Sequence, residues 1–196
     1  MTCRLAGVVS LSLLGLVTGC GSSPPSTFFA LSPAPASSAS PGQTSAQPGA
    51  PRIVRLRRPS IPGYLDRPQI VRRVVDYRLG VAANERWGGP LDEMIGRVLA
   101  QDLEARLSGA AVFTEDGAIT VDPDATVEVN VLRFELGAND EVLLAAGVAV
   151  TREGTAPATR SVRLAARPAT ATTPSLVATM SDLLAQLADA VVALLQ

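Results

Sequence analysis

The chain has 196 residues, 47% apolar and 18% charged, with a formal net charge of −1. That is enough apolar material for a core and too little charge for wholesale disorder. It contains no histidine and no lysine, its 17 basic residues are all arginine, and its two cysteines, Cys3 and Cys20, both fall in the first 20 positions. These absences exclude histidine/cysteine zinc sites, serine–histidine and cysteine–histidine nucleophile pairs, lysine Schiff bases and a P-loop. Carboxylates, hydroxyls and arginine remain, so composition argues against an enzyme, and no catalytic, cofactor-binding or metal-ligating residue is assigned. An acidic chain with 4% aromatic residues also lacks the stacking platform that nucleic acid needs.

Arg4 stands before an apolar run from Leu5 to Val17 that is shorter than the roughly 20 residues of a membrane span. Small residues come next, which reads as a secretory signal. The ending Val17-Thr18-Gly19-Cys20 is similar to a bacterial lipobox, in which the cysteine thiol is acylated and the chain is cut before it. The alternatives are an uncleaved anchor or an ordinary signal with a chance cysteine, and the Ser/Pro/Gly-rich stretch beyond Cys20 favours lipidation. Residues 1–19 are then the signal peptide and Cys20 the lipid attachment, a durable anchor because each buried CH₂ contributes about 0.8 kcal/mol. Gly21 and Ser22 supply no aspartate after Cys20, which by resemblance to the enteric sorting rule favours the periplasmic face of the outer membrane. Cys3 leaves with the signal, so the mature chain has no free thiol.

Residues 20–51 read as a lipidated tether and low-complexity segment, interrupted by Phe28-Phe29-Ala30-Leu31, which is either a short first strand or a sticky patch within a linker. Residues 52–196 read as the folded domain. Arg52–Arg58 predicts a strand closed by Pro59, and Val75–Leu79 alternates with its apolar residues on odd positions. Gly88-Gly89-Pro90 opens a helix whose Leu91, Met94, Ile95, Val98, Leu99, Leu103 and Leu107 share one face. Ala111–Glu115 and Ala118–Val121 flank Asp116-Gly117, a hairpin signal.

Along Thr126–Leu136 the apolar residues change from odd positions (Val127, Val129, Val131) to even ones (Leu132, Phe134, Leu136). Period-two alternation changes phase only through an extra residue, so a bulge is predicted near Val131-Leu132, with Leu132 and Phe134 sharing a buried face with Val127 and Val129. Glu141–Thr151 predicts a strand covered on both faces, Thr159–Ala166 its partner, and Thr173-Pro174 the start of a helix carrying Leu176, Met180, Leu183, Leu184, Leu187, Val191 and Leu194. The expected fold class is α+β: an antiparallel-rich sheet with two amphipathic helices packed on one face.

Two segments carry a further signal. Ile61-Pro62-Gly63-Tyr64-Leu65-Asp66-Arg67-Pro68-Gln69-Ile70-Val71, followed by Glu85-Arg86-Trp87-Gly88-Gly89-Pro90-Leu91, resembles the paired signature of the ABC-type transport auxiliary lipoprotein component family, which includes the PqiC-type outer-membrane lipoproteins. Phe28-Phe29-Ala30-Leu31-Ser32-Pro33 matches that family's first aromatic strand and favours the strand reading, while the long run after Pro33 departs from its usual shorter loop. The resemblance implies a periplasmic accessory of lipid transport between the two membranes, partnered with an MCE-domain protein and with an ABC permease and ATPase. Ring-like self-assembly is compatible with such an accessory, and no residue pattern specifies it.

The signature residues Tyr64, Leu65, Asp66, Arg67, Pro68, Gln69, Arg86 and Trp87 are candidates for partner docking or for structure. Turn chemistry explains the first six, and a lone tryptophan before a helix is more often a core plug. Arg52–Arg78 holds eight arginines against Asp66 and Asp76, whereas 79–196 holds eight arginines against sixteen acids. Arg55, Arg57 and Arg72 therefore form a candidate basic face, with solvated strand faces as the plainer reading. Asp92, Glu93, Asp102 and Glu104 read as helix-surface carboxylates. A cell-envelope lipoprotein of structural or regulatory type, such as a cell-wall synthase activator, is the alternative function, and a carboxylate hydrolase a remote third.

Overall fold

The computed structural model describes residues 25–34, 51–75, 77–118 and 121–196. The expected signal peptide, Cys20 and most of the expected tether lie outside the described residues. In chain order the elements are β1 (Thr27–Phe29), β2 (Ile53–Leu56), β3 (Gln69–Val75), β4 (Arg78–Trp87), α1 (Leu91–Arg106), β5 (Ala111–Thr114), β6 (Ala125–Leu136), β7 (Val142–Arg152), β8 (Ala158–Ala166) and α2 (Thr173–Leu195).

β6 is the central strand of one eight-stranded sheet. Along one edge it pairs antiparallel with β7, which pairs antiparallel with β8. Its other edge is shared by two strands in sequence. β2 runs parallel to its beginning, with Val54 opposite Ala125, and β3 meets its end, with Arg72 opposite Leu136. Ser60 bridges to Asn130 between them, so residues 61–68 are an excursion from one interrupted line of strand. β5 adds to β2 and β1 to β4, both in parallel, while β3 and β4 form an antiparallel hairpin. The sheet is therefore mixed, and the antiparallel-rich expectation is corrected: the long ladders are antiparallel, but β1, β2 and β5 join in parallel. Of the hairpin expected around Asp116-Gly117, the first arm is realised as β5, while residues 119–120 of the second arm lie outside the described residues. The β5 backbone bonds go to β2, Ala111 N–H to Arg52 O and Glu115 N–H to Leu56 O, and the turn at residues 115–118 ends the strand.

Both helices cover one face. Pro90 occupies the N-cap position of α1, Asp92 and Glu93 lie in its first turn and Arg106 in its last, the arrangement that suits the helix dipole. The expected face is buried from Leu91 to Leu107. α2 is long and apolar enough to cross a membrane by length and composition, yet Leu183, Leu184, Leu187, Ala188, Val191 and Leu195 are fully enclosed among sheet residues Val54, Leu56, Val127, Val142 and Leu144. It is the core helix of this fold.

The pairing of β6 with β7 shifts register between Val131 and Arg133, which is the expected bulge. Phe134 is buried with Val127, Val129 and Val131, but Leu132 is 56% exposed, contrary to expectation. Leu132 is itself the extra residue, and a bulged residue leaves the alternation rather than joining either face. β7 departs from expectation as well. Its even positions, Val142 to Val150, are buried under the helices, while Gly147 on the other face meets open space where a Cβ would stand. That face is half-open, with Leu143, Gly147 and Ala149 partly exposed, and small residues predominate on it. The alternation at Val75–Leu79 marks no strand interior either: it is the turn of the β3–β4 hairpin, where Tyr77 adopts φ 67°.

Phe134→Ala should destabilise the domain by about 3–5 kcal/mol, whereas Leu132→Ser should stay within about 0.5 kcal/mol of the parent, as read by urea unfolding. Comparable losses at both positions would contradict the bulge.

Candidate docking site

Three segments far apart in sequence are stitched together at one end of the sheet. Trp87 N–H donates to Pro68 O at 2.7 Å, and Gly88 N–H donates to Phe29 O at 2.8 Å. Gln69 lies opposite Arg86, which lies opposite Phe28, and Trp87 lies opposite Phe29. The two signature segments and the first strand thus form one junction. The expected strand at 28–31 is realised as Thr27–Phe29. Leu31 follows it into the core, and Ser32 N–H donates to Ser181 Oγ on α2 at 3.2 Å.

Within the excursion, Leu65 N–H donates to Pro62 O at 2.9 Å and Arg67 N–H to Leu65 O at 2.8 Å. The turn divides its own residues. Leu65, Ile70 and Val71 are buried, Tyr64 and Gln69 are half-buried, and Asp66, Arg67 and Pro68 are exposed. Trp87, only 4% exposed, is a core plug, and Arg86 is half-buried beside it. Of the eight signature residues, Asp66, Arg67 and Pro68 are presented outward.

What holds that turn is Glu135, fully enclosed after the β6 bulge. Its carboxylate accepts the Tyr64 hydroxyl proton at 2.8 Å, the Arg73 guanidinium at 3.2 Å, the Arg133 guanidinium at 2.7 Å and the Phe134 N–H at 3.1 Å. Burial, and next the hydrogen bond to Glu135, push the Tyr64 hydroxyl well above its ordinary pKa, so Tyr64 stays a donor. A buried carboxylate is tolerated only when its charge is paired and its lone pairs are used, and here both conditions are met. Sequence reading misses Glu135, Arg73 and Arg133. The available signal is an acid flanked by apolar residues inside a strand, with arginine two positions earlier.

Arg55, Arg57 and Arg72 do not form one basic face. Arg55 and Arg57 alternate with buried Val54 and Leu56 and so lie on the open face of the sheet. Arg72 pairs with Leu136 and reaches Thr173 of α2, on the helix side. Two of the three are also already neutralised: Arg57 pairs with Glu128 at 2.7 Å and Glu115 at 3.5 Å, and Arg72 with Glu85 at 3.0 Å. Arg55 donates to Val121 O at 2.8 Å. Arg58, just after β2, similarly reaches the start of α1 through Asp92 at 2.6 Å; burial pushes the Asp92 carboxyl up, but Arg58 and the backbone N–H groups of the helix start together hold it below the usual carboxylate range. The open face carries a groove of about 760 Å³ lined by Arg57, Glu128, Asn130, Gly147, Arg160 and Ser161 among others. Among the described residues no group of three histidine, cysteine or acidic side chains is placed to hold a metal ion.

Asp102 is corrected from a helix-surface carboxylate to a buried one, 1% exposed, with both oxygens lacking a hydrogen-bond partner. Burial raises its pKa to about 6, against the pull of Arg106, whose guanidinium lies 3.6 Å away and also pairs with Asp189 of α2.

Glu135→Ala should unfold the domain more easily by the low end of about 3–5 kcal/mol, because Arg73 and Arg133 keep partial access to water. An unchanged urea midpoint would remove the clamp. For Asp102 the folded pKa of about 6 exceeds the ordinary 3.8, so the folded state binds the proton more tightly. Stability should then fall as pH rises from about 4 to about 6 and level off above, by up to about 3 kcal/mol for this group. Asp102→Asn should flatten that slope and be more stable than the parent at pH 8. An Asn variant less stable than the parent at pH 8 would refute this.

Comparison with known proteins fits this architecture. An uncharacterised protein of known crystal structure superposes with a TM-score of 0.69 at 18% identity, over 85% of this chain and 96% of that one. Protein XCC0632 from Xanthomonas campestris does so with a TM-score of 0.66 at 20% identity, over 85% and 92%. These likenesses establish a shared fold. No curated protein matches the sequence. The model of the ABC-type transport auxiliary lipoprotein component family matches residues 29–192, from the end of β1 almost to the end of α2 and through both signature segments, and the chain belongs to that family.

Proposed function

We propose that this chain is a non-catalytic accessory of an intermembrane lipid transport system, anchored through acylated Cys20 to the periplasmic face of the outer membrane. In this reading it docks an MCE-domain protein that works with an ABC permease and ATPase. The family's description as a transport auxiliary lipoprotein supports the class of role. Val17-Thr18-Gly19-Cys20 supports the anchor, and the absence of histidine, lysine and a free thiol after processing supports the lack of turnover.

One observation carries the docking half. Asp66, Arg67 and Pro68 stand in solvent on a turn whose neighbours Tyr64 and Leu65 are locked into the clamp and the core. A presented, pre-ordered loop binds without a large ordering cost. The loop is preferred to the basic strip because Arg57 and Arg72 are already paired with Glu128, Glu115 and Glu85.

The membrane-extracted protein should yield a lipid-modified peptide beginning at Cys20 by mass spectrometry. The same preparation should capture a purified MCE-domain partner encoded beside it. Asp66→Arg with Arg67→Glu should weaken capture at least tenfold while the unfolding transition stays in place, a loss of about 1.4 kcal/mol of binding free energy. Undiminished capture would remove this loop from the interface, and no capture by the parent would count against docking itself.

A further inference from the structure

The β3–β4 hairpin carries the densest exposed apolar surface among the described residues. Val74, Val75, Leu79 and Val81 are each over a third exposed, and Tyr77 is fully so. β3 pairs with β6 only at Leu136, the last residue of β6, so the hairpin from Arg73 onward projects past the sheet's central strand. Gly80 fits this geometry: a Cβ there would stand 2.7 Å from the Val74 side chain, which lies across the hairpin. Val74, Val75, Tyr77, Leu79 and Val81, interrupted in sequence by the charges of Asp76 and Arg78, have the composition of a segment that lies shallowly at a membrane–water interface, where an amphipathic ring is favoured and charges stay at the headgroups.

The direction of β1 connects this tip to the anchor. β1 runs parallel to β4 with Thr27 opposite Glu85, so the chain preceding Thr27 heads toward the start of β4, where the hairpin turns. Thr27 lies seven positions after Cys20, just as Glu85 lies seven positions after Arg78. Seven residues of strand span about 23 Å, and seven residues of tether, two of them proline, reach about 22–25 Å at most. A bilayer holding an acyl chain on Cys20 therefore lies within reach of the hairpin turn and hardly beyond it.

We propose that the end of the β3–β4 hairpin is a membrane foot: Val75, Tyr77 and Leu79 enter the interface of the bilayer that holds the lipid on Cys20. The inference rests on the Cys20 anchor and not on the MCE partner. It fixes the standing of the domain, with the hairpin toward lipid and the open sheet face free to the side. The foot is a contact of modest depth, since Arg78 must keep its charge at the headgroups.

The test uses the full chain, processed in vivo and reconstituted into vesicles of phosphatidylethanolamine and phosphatidylglycerol. Removal of Cys3 and acylation of Cys20 make Tyr77→Cys the one free thiol of the mature protein, and Glu153→Cys gives a control in the β7–β8 turn. An environment-sensitive dye at 77 should shift to the blue and be quenched by bilayer-bound quenchers several-fold more than the same dye at 153. In a separate variant, Val75→Asp with Leu79→Asp should abolish that difference without moving the unfolding transition. Equal quenching at 77 and 153 on a protein whose Cys20 peptide is acylated would overturn the foot and leave the anchor standing. An unmodified Cys20 with no flotation on vesicles would overturn both. A blue shift that ignores the quenchers and grows with protein density would place a second copy on the hairpin and overturn the lipid assignment.

Discussion

The structure downstream of Val131 depends on one extra residue in β6. Without it, Leu132 and Phe134 would continue onto the open face and Glu135 would point into the helix-covered core, away from Tyr64, Arg73 and Arg133. With Leu132 extruded, Phe134 returns to the core and Glu135 emerges beneath Tyr64, Arg73 and Arg133. A single register shift thus places both a large core side chain and the carboxylate that ties down the signature turn. The exposed Leu132 is the local cost, and one exposed leucine is a small liability beside a buried, unpaired carboxylate.

Charge is arranged by the same economy. The segment from Arg52 to Arg78 is strongly basic and residues 79–196 are acidic, a division that in sequence suggests steering of an outside partner. The fold interleaves the two halves. Arg57 finds Glu115 and Glu128, Arg58 finds Asp92, Arg72 finds Glu85, and Arg73 finds Glu135. These pairs join the basic segment to β4, β6 and α1, so they act in register and docking more than in raw stability. Exposed pairs such as Arg57–Glu128 contribute little, because water and salt screen them and two long side chains must be ordered to make them. Only where the carboxylate is enclosed, at Glu135, does the pairing decide whether the local structure forms.

What is legible in the sequence is what local periodicity encodes. α1 and α2 are readable because seven apolar residues in each recur on one face, and β6 because a phase change has one economical explanation. The failures share a cause. Which strand pairs with which is a long-range property, so nothing local in Ala111–Thr114 announces its parallel partner β2, far back in sequence. Val75–Leu79 looks like a strand interior because alternation says nothing about whether a neighbour exists on either side. Asp102 looks solvated because a helix surface becomes interior only when a second helix and the segment after β1 lie against it. The candidate site is half legible. Its two motifs are visible as motifs, but their meeting at Pro68 and Trp87, and the clamp beneath them, emerge only once β3 and β4 fold back on each other.

The first strand shows why a long low-complexity stretch can separate it from its domain at little cost. The entropy of loop closure grows only as about (3/2)RT ln n, so doubling the number of residues between Ala34 and Pro51 would add only about 0.6 kcal/mol. Against that stand three backbone positions of β1 on β4, the Gly88–Phe29 bond, a buried Leu31 and the Ser32–Ser181 bond. A buried leucine alone contributes about 1.5–3 kcal/mol. The docked strand therefore outweighs such a lengthening. The physical consequence is mechanical. Any pull from the membrane on the proposed Cys20 anchor enters the domain at Thr27 and runs along β1 into β4, the strand that carries Trp87 and closes the signature junction.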